Sequence, residues 1–242
     1  MNLKPNFNNG MILKQQMLEA VRDYPREYVD LLYNNMGDGV ITGFDVTIEN
    51  HTRIKISPGI IKINGEVFFS DENAEFPIMD KRNYVYLKIE KSVQNDGEMY
   101  RVNFIQSPEE KSEEFELLRY TKNAELQEIK DISEVFNRTI NRVDRTHMKR
   151  SIVGGSTLAD EYYELFSKKL RNSNKIEDVS FAYQCMNGIS NVLIIKEYFG
   201  IEKTFGDDII EAMKQKIAMI SVEEKSVYVV PKEEQEGTVT VS

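Results

Sequence analysis

The stretch "RIKISPGIIKINGEVFF", residues 53–69, constrains the fold more than any other part of the chain. Apolar residues alternate through Ile54 and Ile56 with the period of a half-buried strand. Pro58-Gly59 then turns the chain. Asn64-Gly65 is a strong short hairpin signal, because a tight two-residue turn needs positive φ at both central positions. With such a turn, Ile63 faces Glu66 and Ile61 faces Phe68 on one side, while Lys62 faces Val67 and Ile60 faces Phe69 on the other. Neither side is cleanly polar. The hairpin is therefore expected to be covered on both faces, by a second sheet or by another subunit.

The same period of two continues on both sides of this hairpin. "VITGFDVTIEN" alternates through Phe44, Val46 and Ile48, and "NYVYLKIEKS", "MYRVNFIQS" and "FELLRYTKN" read as three further strands, the first two joined by a turn at "NDG". Residues 37–124 thus form a central antiparallel, sandwich-like β-domain. Before it, residues 1–36 form an arm and a helix. Leu13, Met17, Val21, Tyr24, Tyr28, Leu31 and Leu32 recur there at three- and four-residue spacing. Pro25 falls inside this pattern, so the helix either kinks or restarts with Pro25 in a first turn.

Beyond the β-domain the pattern turns helical. Over 125–150 a connecting helix is expected, with Ile129, Ile132, Phe136, Ile140 and Val143 on one stripe; it serves either as a short oligomer seam or as the buried face of a helix lying on its own domain. "SIVGGST", residues 151–157, reads as a linker, with Ser156 or Thr157 capping the next helix and Asp160 placed as the partner in a capping box. A helical domain over 151–221 follows, with helices at 158–171, 176–199 and 207–220, Gly188 as an interruption and Asp207 as an N-cap. Residues 222–242 form an extended tail, suited to adding an edge strand to a partner's sheet or else simply frayed. The overall class is α+β.

Composition bounds the function. The chain has 242 residues, 31 basic and 40 acidic, for a net charge of -9. Such a surface is repelled by phosphate backbones and anionic membranes, so neither a nucleic acid nor a membrane is expected as the main partner. The N-terminal "MNLKPNFNNGM" lacks the basic and apolar regions of a secretory leader, and "NVLIIKEYF" is much shorter than the roughly 20 apolar residues of a bilayer span. The lone Cys185 sits among Phe181, Tyr183 and Met186 and is expected in the core.

No spacing characteristic of catalysis stands out. There is no phosphate-binding glycine loop and no nucleophile elbow. His51 and His147 have no cysteine or second histidine at metal-ligand spacing. Of the many carboxylates, Glu66 and Glu90 on strands are the best acid candidates, but nothing beside them would raise a pKa. Tyr84, Tyr86 and Tyr100 could form a stacking platform for a glycan, which is the alternative function, a module recognising a bacterial surface polymer. No catalytic residue, cofactor or metal is assigned.

The order "GDGVITGFDVT", "RIKISPGIIKINGEVFF", "NYVYLKIE", "YRVNFIQS" and "FELLRYTKNAELQEIKDIS", covering about residues 37–133, resembles a module of baseplate and tail-fibre-attachment proteins in contractile-tailed bacteriophages and R-type, phage-tail-like bacteriocins. The resemblance implies a non-enzymatic virion structural protein of a contractile injection system. Its partners would be other baseplate and tail-fibre proteins together with copies of itself, trimeric or sixfold-related. It would be made in the bacterial cytoplasm and assembled into a particle released by lysis. Gly39, Gly43, Pro58, Gly59, Asn64 and Gly65 would shape the module's backbone.

Overall fold

The computed structural model describes residues 12, 14–50, 52–79, 81–94, 97–120, 129–137 and 143–227. The fold is mixed α+β. An N-terminal helix, α1 (Gln15–Leu32), is continuous across Pro25 and does not restart there. Nine strands follow: β1 (Gly39–Gly43), β2 (Val46–Glu49), β3 (Arg53–Ile56), β4 (Gly59–Ile63), β5 (Glu66–Ser70), β6 (Ala74–Pro77), β7 (Asn83–Gln94), β8 (Gly97–Ser107) and β9 (Phe115–Tyr120). Then come α2 (Ile132–Phe136), the strand pair β10 (Arg150–Ile152) and β11 (Gly155–Thr157), and helices α3 (Asp160–Leu170), α4 (Ile176–Met186), α5 (Val192–Phe199) and α6 (Asp207–Val227).

The strands form three sheets, ordered β11-β10-β1-β4-β5, β2-β3-β6 and β8-β7-β9. The Asn64-Gly65 hairpin has the register its turn dictates: Ile60 opposite Phe69, Ile61 opposite Phe68, Lys62 opposite Val67 and Ile63 opposite Glu66. Asn64 and Gly65 take φ of 53° and 81°, and both backbone N–H groups of the turn donate to the Asp38 carboxylate, at 3.0 and 3.2 Å.

The chain crosses between sheets at two corners that lie against each other. "VITGFDVTIEN" is two strands, because Gly43 (φ 74°) and the buried Phe44 (φ 55°) break the alternation and send β2 into a different sheet from β1. The return crossing is Ser57-Pro58, between β3 and β4. Phe44 N–H donates to the Pro58 carbonyl at 3.2 Å, Asp45 N–H to Ser57 Oγ at 2.9 Å, and Ser57 N–H to the Asp45 carbonyl at 3.0 Å. A Cβ on Gly43 would sit 2.2 Å from the Pro58 oxygen, and one on Gly59 would sit 2.6 Å from the Phe44 ring. Only hydrogen at both positions lets the corners close.

Two expectations for the segment after the β-domain are corrected. The residues 151–157 are not a linker. They form the β10–β11 hairpin, and β10 pairs in parallel with β1, Val40 opposite Arg150. Ser156 and Thr157 do not cap α3, whose N-cap is Ala159. Ser156 Oγ instead donates to the Asp38 carbonyl, and Thr157 Oγ1 hydrogen-bonds Tyr163 and the Thr204 carbonyl. Asp160 pairs with Arg150 at 2.7 Å. Nor do the described residues of 125–150 form a long helix with a free seam. Helix there is limited to α2, capped by Asp131 (Ser133 N–H at 2.9 Å), and Ile132 is fully buried while Ile129, Phe136 and Val143 pack against the core. Ile140 lies outside the described residues.

Among the described residues one hydrophobic cluster runs from Val40 to Ile220, joining the sheets to the C-terminal helices. Phe44, Ile54, Ile61 and Leu118 from the sheets belong to it together with Tyr162, Phe166, Phe181 and Met213 from the helices. Gly188 (φ 79°) separates α4 from α5, and Asn191 caps α5 through the Leu193 N–H at 2.9 Å. Within the bundle the buried Asp178 of α4 accepts hydrogen bonds from Ser173 Oγ (2.5 Å), Tyr198 OH of α5 (2.7 Å) and Lys216 Nζ of α6 (2.8 Å), so a single carboxylate ties three helices together. Asp207 and Asp208 occupy the first turn of α6, where negative charge is favourable. That helix extends to Val227, so the first residues assigned to the extended tail are helical; residues 228–242, like the 1–11 arm, lie outside the described residues.

Candidate interaction surface

The second face of the β4–β5 hairpin is the starting point. Ile61 and Phe68 bury its first face in the core. On the other, the chain's own α1 ends above Lys62, a strand lysine only 6% exposed. A helix leaves its last carbonyls without intrahelical partners, and its C-terminus carries partial negative charge. Lys62 Nζ lies just past this end, where its charge is favourable, and donates to the carbonyls of the C-cap Tyr33 (2.8 Å) and of Asn34 (3.2 Å) and Met36 (2.8 Å) beyond it. The chain just beyond is fixed to the β10–β11 hairpin: Gly37 N–H donates to the Ile152 carbonyl (3.1 Å), Ser151 Oγ to the Gly37 carbonyl (2.5 Å) and Gly154 N–H to the Asn35 carbonyl (2.9 Å). The root of α1 is thus bonded to two elements of the five-stranded sheet.

The length of α1 is a different matter. Its apolar residues Leu18, Val21, Tyr24, Tyr28, Leu31 and Leu32 are all exposed, Tyr24 to 63% and Leu31 to 78%. Met17 is its one buried residue. On the side toward the sheets a cleft of about 330 Å³ separates Arg22, Pro25, Arg26 and Val29 from β5 and β8. Across that cleft Phe69, Met99 and Tyr100 are exposed at 44%, 57% and 44%. Tyr100 leans edge-on against Phe68 at 5.1 Å between ring centres, and Lys91 pairs with Glu66 while lying 5.5 Å over the Phe68 ring. Arg22 forks onto Asp23 at 2.6 and 2.9 Å. That hydrogen bond raises the Arg22 pKa and lowers the Asp23 carboxyl below its ordinary value. The chain therefore carries a firmly rooted helix whose apolar residues Leu18, Val21, Tyr24, Tyr28, Leu31 and Leu32 stand exposed, next to an apolar sheet rim. A solitary helix of 18 residues is marginal in water, so this arrangement calls for a partner.

The residues singled out from the sequence are distributed differently. Gly43, Pro58 and Gly59 form the paired corners, Asn64 and Gly65 the hairpin turn beside Asp38, and Gly39 starts β1 against Lys149 and Ser151. These positions shape the backbone that carries the surface; none lines it. The tyrosine platform is overturned. Tyr84 and Tyr86 stack at 5.9 Å but are 3% and 0% exposed, because Tyr86 OH is held under the loop at Lys111, whose N–H it accepts at 2.8 Å. Glu66 is half-buried and Glu90 exposed, and they pair with Lys91 and Lys88. His51 lies outside the described residues, and His147 Nε2 is 3.3 Å from Asp207. Cys185 is buried on α4, which pushes its thiol up to about 12. Among the described residues no three His, Cys, Asp or Glu side chains group as metal ligands, and no helix is long and apolar enough to cross a membrane.

The α1 surface was present in the sequence as the spacing 17, 21, 24, 28, 31, but periodicity gives a helix and its apolar face, not what the face meets. The Lys62 contact had a fainter signal, a lone lysine between Ile61 and Ile63 on a strand otherwise apolar.

No family model matches the chain, and no curated protein matches it. Among solved structures it is similar to the chain in a crystal structure of TssK, with a TM-score of 0.36 and 10% sequence identity over 96% of this chain. It spans 57% of the length of that chain.

Proposed function

We propose that this protein is a structural component of a phage-like tail baseplate, docking on the baseplate and holding a neighbouring or tail-fibre protein. The observation that supports this reading is α1: a helix bonded at its root to the five-stranded sheet and bare along its apolar face, beside a second apolar rim on β5 and β8. A surface of this size is costly to leave in water and useful only when another protein covers it. On this proposal the protein acts by binding and not by catalysis, is made in the cytoplasm of a bacterium, and leaves the cell inside the particle on lysis. The glycan alternative loses the tyrosine platform on which it rested.

The test is immunogold electron microscopy with antibody against this protein, on tail particles induced from the strain that encodes it. Label at one end of the tails is the expected result. Particles without label, with the protein free in the cytoplasm, would remove the assembly role.

A further inference from the structure

We infer that the groove between α4 and α5 is a second docking site, and that its occupant is an amphipathic helix of another protein with lysine or arginine along both flanks of its apolar stripe.

The groove follows from how α4 is packed. Asp178, Phe181, Ala182 and Cys185 fill its buried face. The neighbouring row, Glu177, Phe181 and Gln184, keeps helical spacing along one wall of the groove. Ile194, Glu197 and Tyr198 of α5 make the facing wall, and the space between holds about 430 Å³. Its floor is apolar and fixed. The Phe181 and Tyr198 rings stack at 3.8 Å between centres and 4° between planes, and the Tyr198 hydroxyl is tied down by donating to the buried Asp178 at 2.7 Å. A floor already held in place loses little conformational freedom when a ligand covers it. Tyr183 on α4 and Leu193 on α5 stand exposed outside the groove.

Two observations identify the occupant. The first is backbone. Both walls are helices, whose main-chain groups are bonded to one another, so the groove offers an extended segment no row of free N–H and C=O groups of the kind a sheet edge presents. A helix arrives with its own backbone hydrogen bonds made and lays one apolar face into such a groove. The second is charge. Glu177 and Glu197 stand one on each wall, both exposed, and neither has an ion pair or hydrogen bond among the described residues. Lys216, which also lines the groove, is committed to Asp178 at 2.8 Å and lies 4.9 Å over the Tyr198 ring. The rim is therefore negative on both sides, and a helix with basic flanks matches it. The same charge argues against this chain as its own occupant. The helix α1 carries four carboxylates against two arginines, and residues 228–242 carry three glutamates against one lysine, so both bring like charge to the rim. The groove is built from helices remote in sequence from α1, and the inference holds whether or not the protein is found on tails.

The experiment is selection of a phage-displayed library of amphipathic helices, with a fixed leucine stripe and randomised flanks, on the immobilised full-length protein. Selected helices are then made as peptides, and their affinities are measured by fluorescence anisotropy for the wild type and for Glu177→Gln/Glu197→Lys. Both changed positions are exposed, and glutamine puts no positive charge into the first turn of α4, so circular dichroism should stay the same. Lysine or arginine is expected on both flanks of the selected helices, with binding weakened at least about tenfold in the variant, since two attractions are lost and one repulsion gained. Replacing the peptide's basic residues one at a time by glutamate should yield a peptide that prefers the variant to the wild type. Failure to select any helix, flanks without basic enrichment, or equal affinity for variant and wild type would each overturn the inference. Binding lost instead in Val21→Glu/Tyr28→Glu, two exposed positions of α1, would also overturn it, by moving the site to that helix.

Discussion

Replacing Lys62 by methionine isolates the root of α1. Methionine keeps most of the apolar stem but removes the ammonium, so the carbonyls of Tyr33, Asn34 and Met36 lose their shared donor. A hydrogen bond from a charged group contributes about 1.5–3 kcal/mol, and a cation at a helix C-terminus up to about 2 kcal/mol. Asn34 is exposed and water can replace the lysine there, whereas Tyr33 and Met36 are half-buried and cannot be solvated as fully. Offsetting these losses is the release of a buried charge, so the net cost should be about 2–4 kcal/mol. Because the bonds are confined to the root, the loss should appear locally. Hydrogen–deuterium exchange read by mass spectrometry should show residues 15–36 opening at least about 30-fold more often, the equivalent of 2 kcal/mol, while peptides from β7 and β9 change far less. Exchange in 15–36 equal to that of the wild type would refute the view that Lys62 anchors the helix. A loss spread evenly over the chain would also refute it, by showing the lysine to be a general core residue.

Two further outcomes follow from the core. Gly59→Ala sets a methyl 2.6 Å from the Phe44 ring at the paired corners and should cost about 1–3 kcal/mol in chemical denaturation, as overpacking does; an unchanged midpoint would show that Phe44 is free to move. Burial alone would raise the Asp178 pKa, but hydrogen bonds from Lys216, Ser173 and Tyr198 outweigh it and hold the carboxyl below its ordinary value. A depressed folded pKa means stability that is present above the unfolded value of about 3.9 and lost as pH falls through the folded one. Asp131, lowered to about 2 chiefly by its hydrogen bond from Lys169, adds in the same direction. Melting temperature should therefore drop from pH 4 toward pH 2, and Asp178→Asn should both destabilise at pH 7, by about 3–5 kcal/mol for a broken buried pair, and flatten that acid limb. An equally steep limb in the variant would remove Asp178 from the account.

What could be read from the sequence depended on how local the determining contact was. The Asn64-Gly65 turn fixes its own register, so every cross-strand pair of β4 and β5 could be named beforehand. The break at Gly188 and the burial of Cys185 were legible for the same reason. "SIVGGST" misled because two glycines mark a flexible linker and a tight hairpin equally well, and the deciding neighbour is β1, more than a hundred residues earlier. Phe44 misled because an aromatic residue in an alternating run reads as strand, while its positive φ arises from a corner completed only by Pro58 and Gly59. Tyr84 and Tyr86 have the spacing of a platform and of a core face alike; the loop at Lys111 over Tyr86 and the guanidinium groups of Arg82 and Arg119 over Tyr84 decide, and no periodicity announces them.

The parallel pairing of β1 with β10 has a consequence for how the protein is made. Ser151 and Gly37, which hydrogen-bond across that seam, are 114 residues apart in the chain. The β4–β5 hairpin can form as soon as it is synthesised, but one edge of β1 stays open until the β10–β11 hairpin emerges. At about 5–20 residues per second, that is a wait of roughly 6–23 seconds on the ribosome. Throughout it the nascent chain exposes an unpaired strand edge together with the bare helix that precedes it, the two features most prone to join the wrong neighbour. The late arrival of residues 150–157 thus acts as a timing device. The platform for α1 is finished only after most of the protein exists, so the helix takes its final angle to the sheet only in the completed fold.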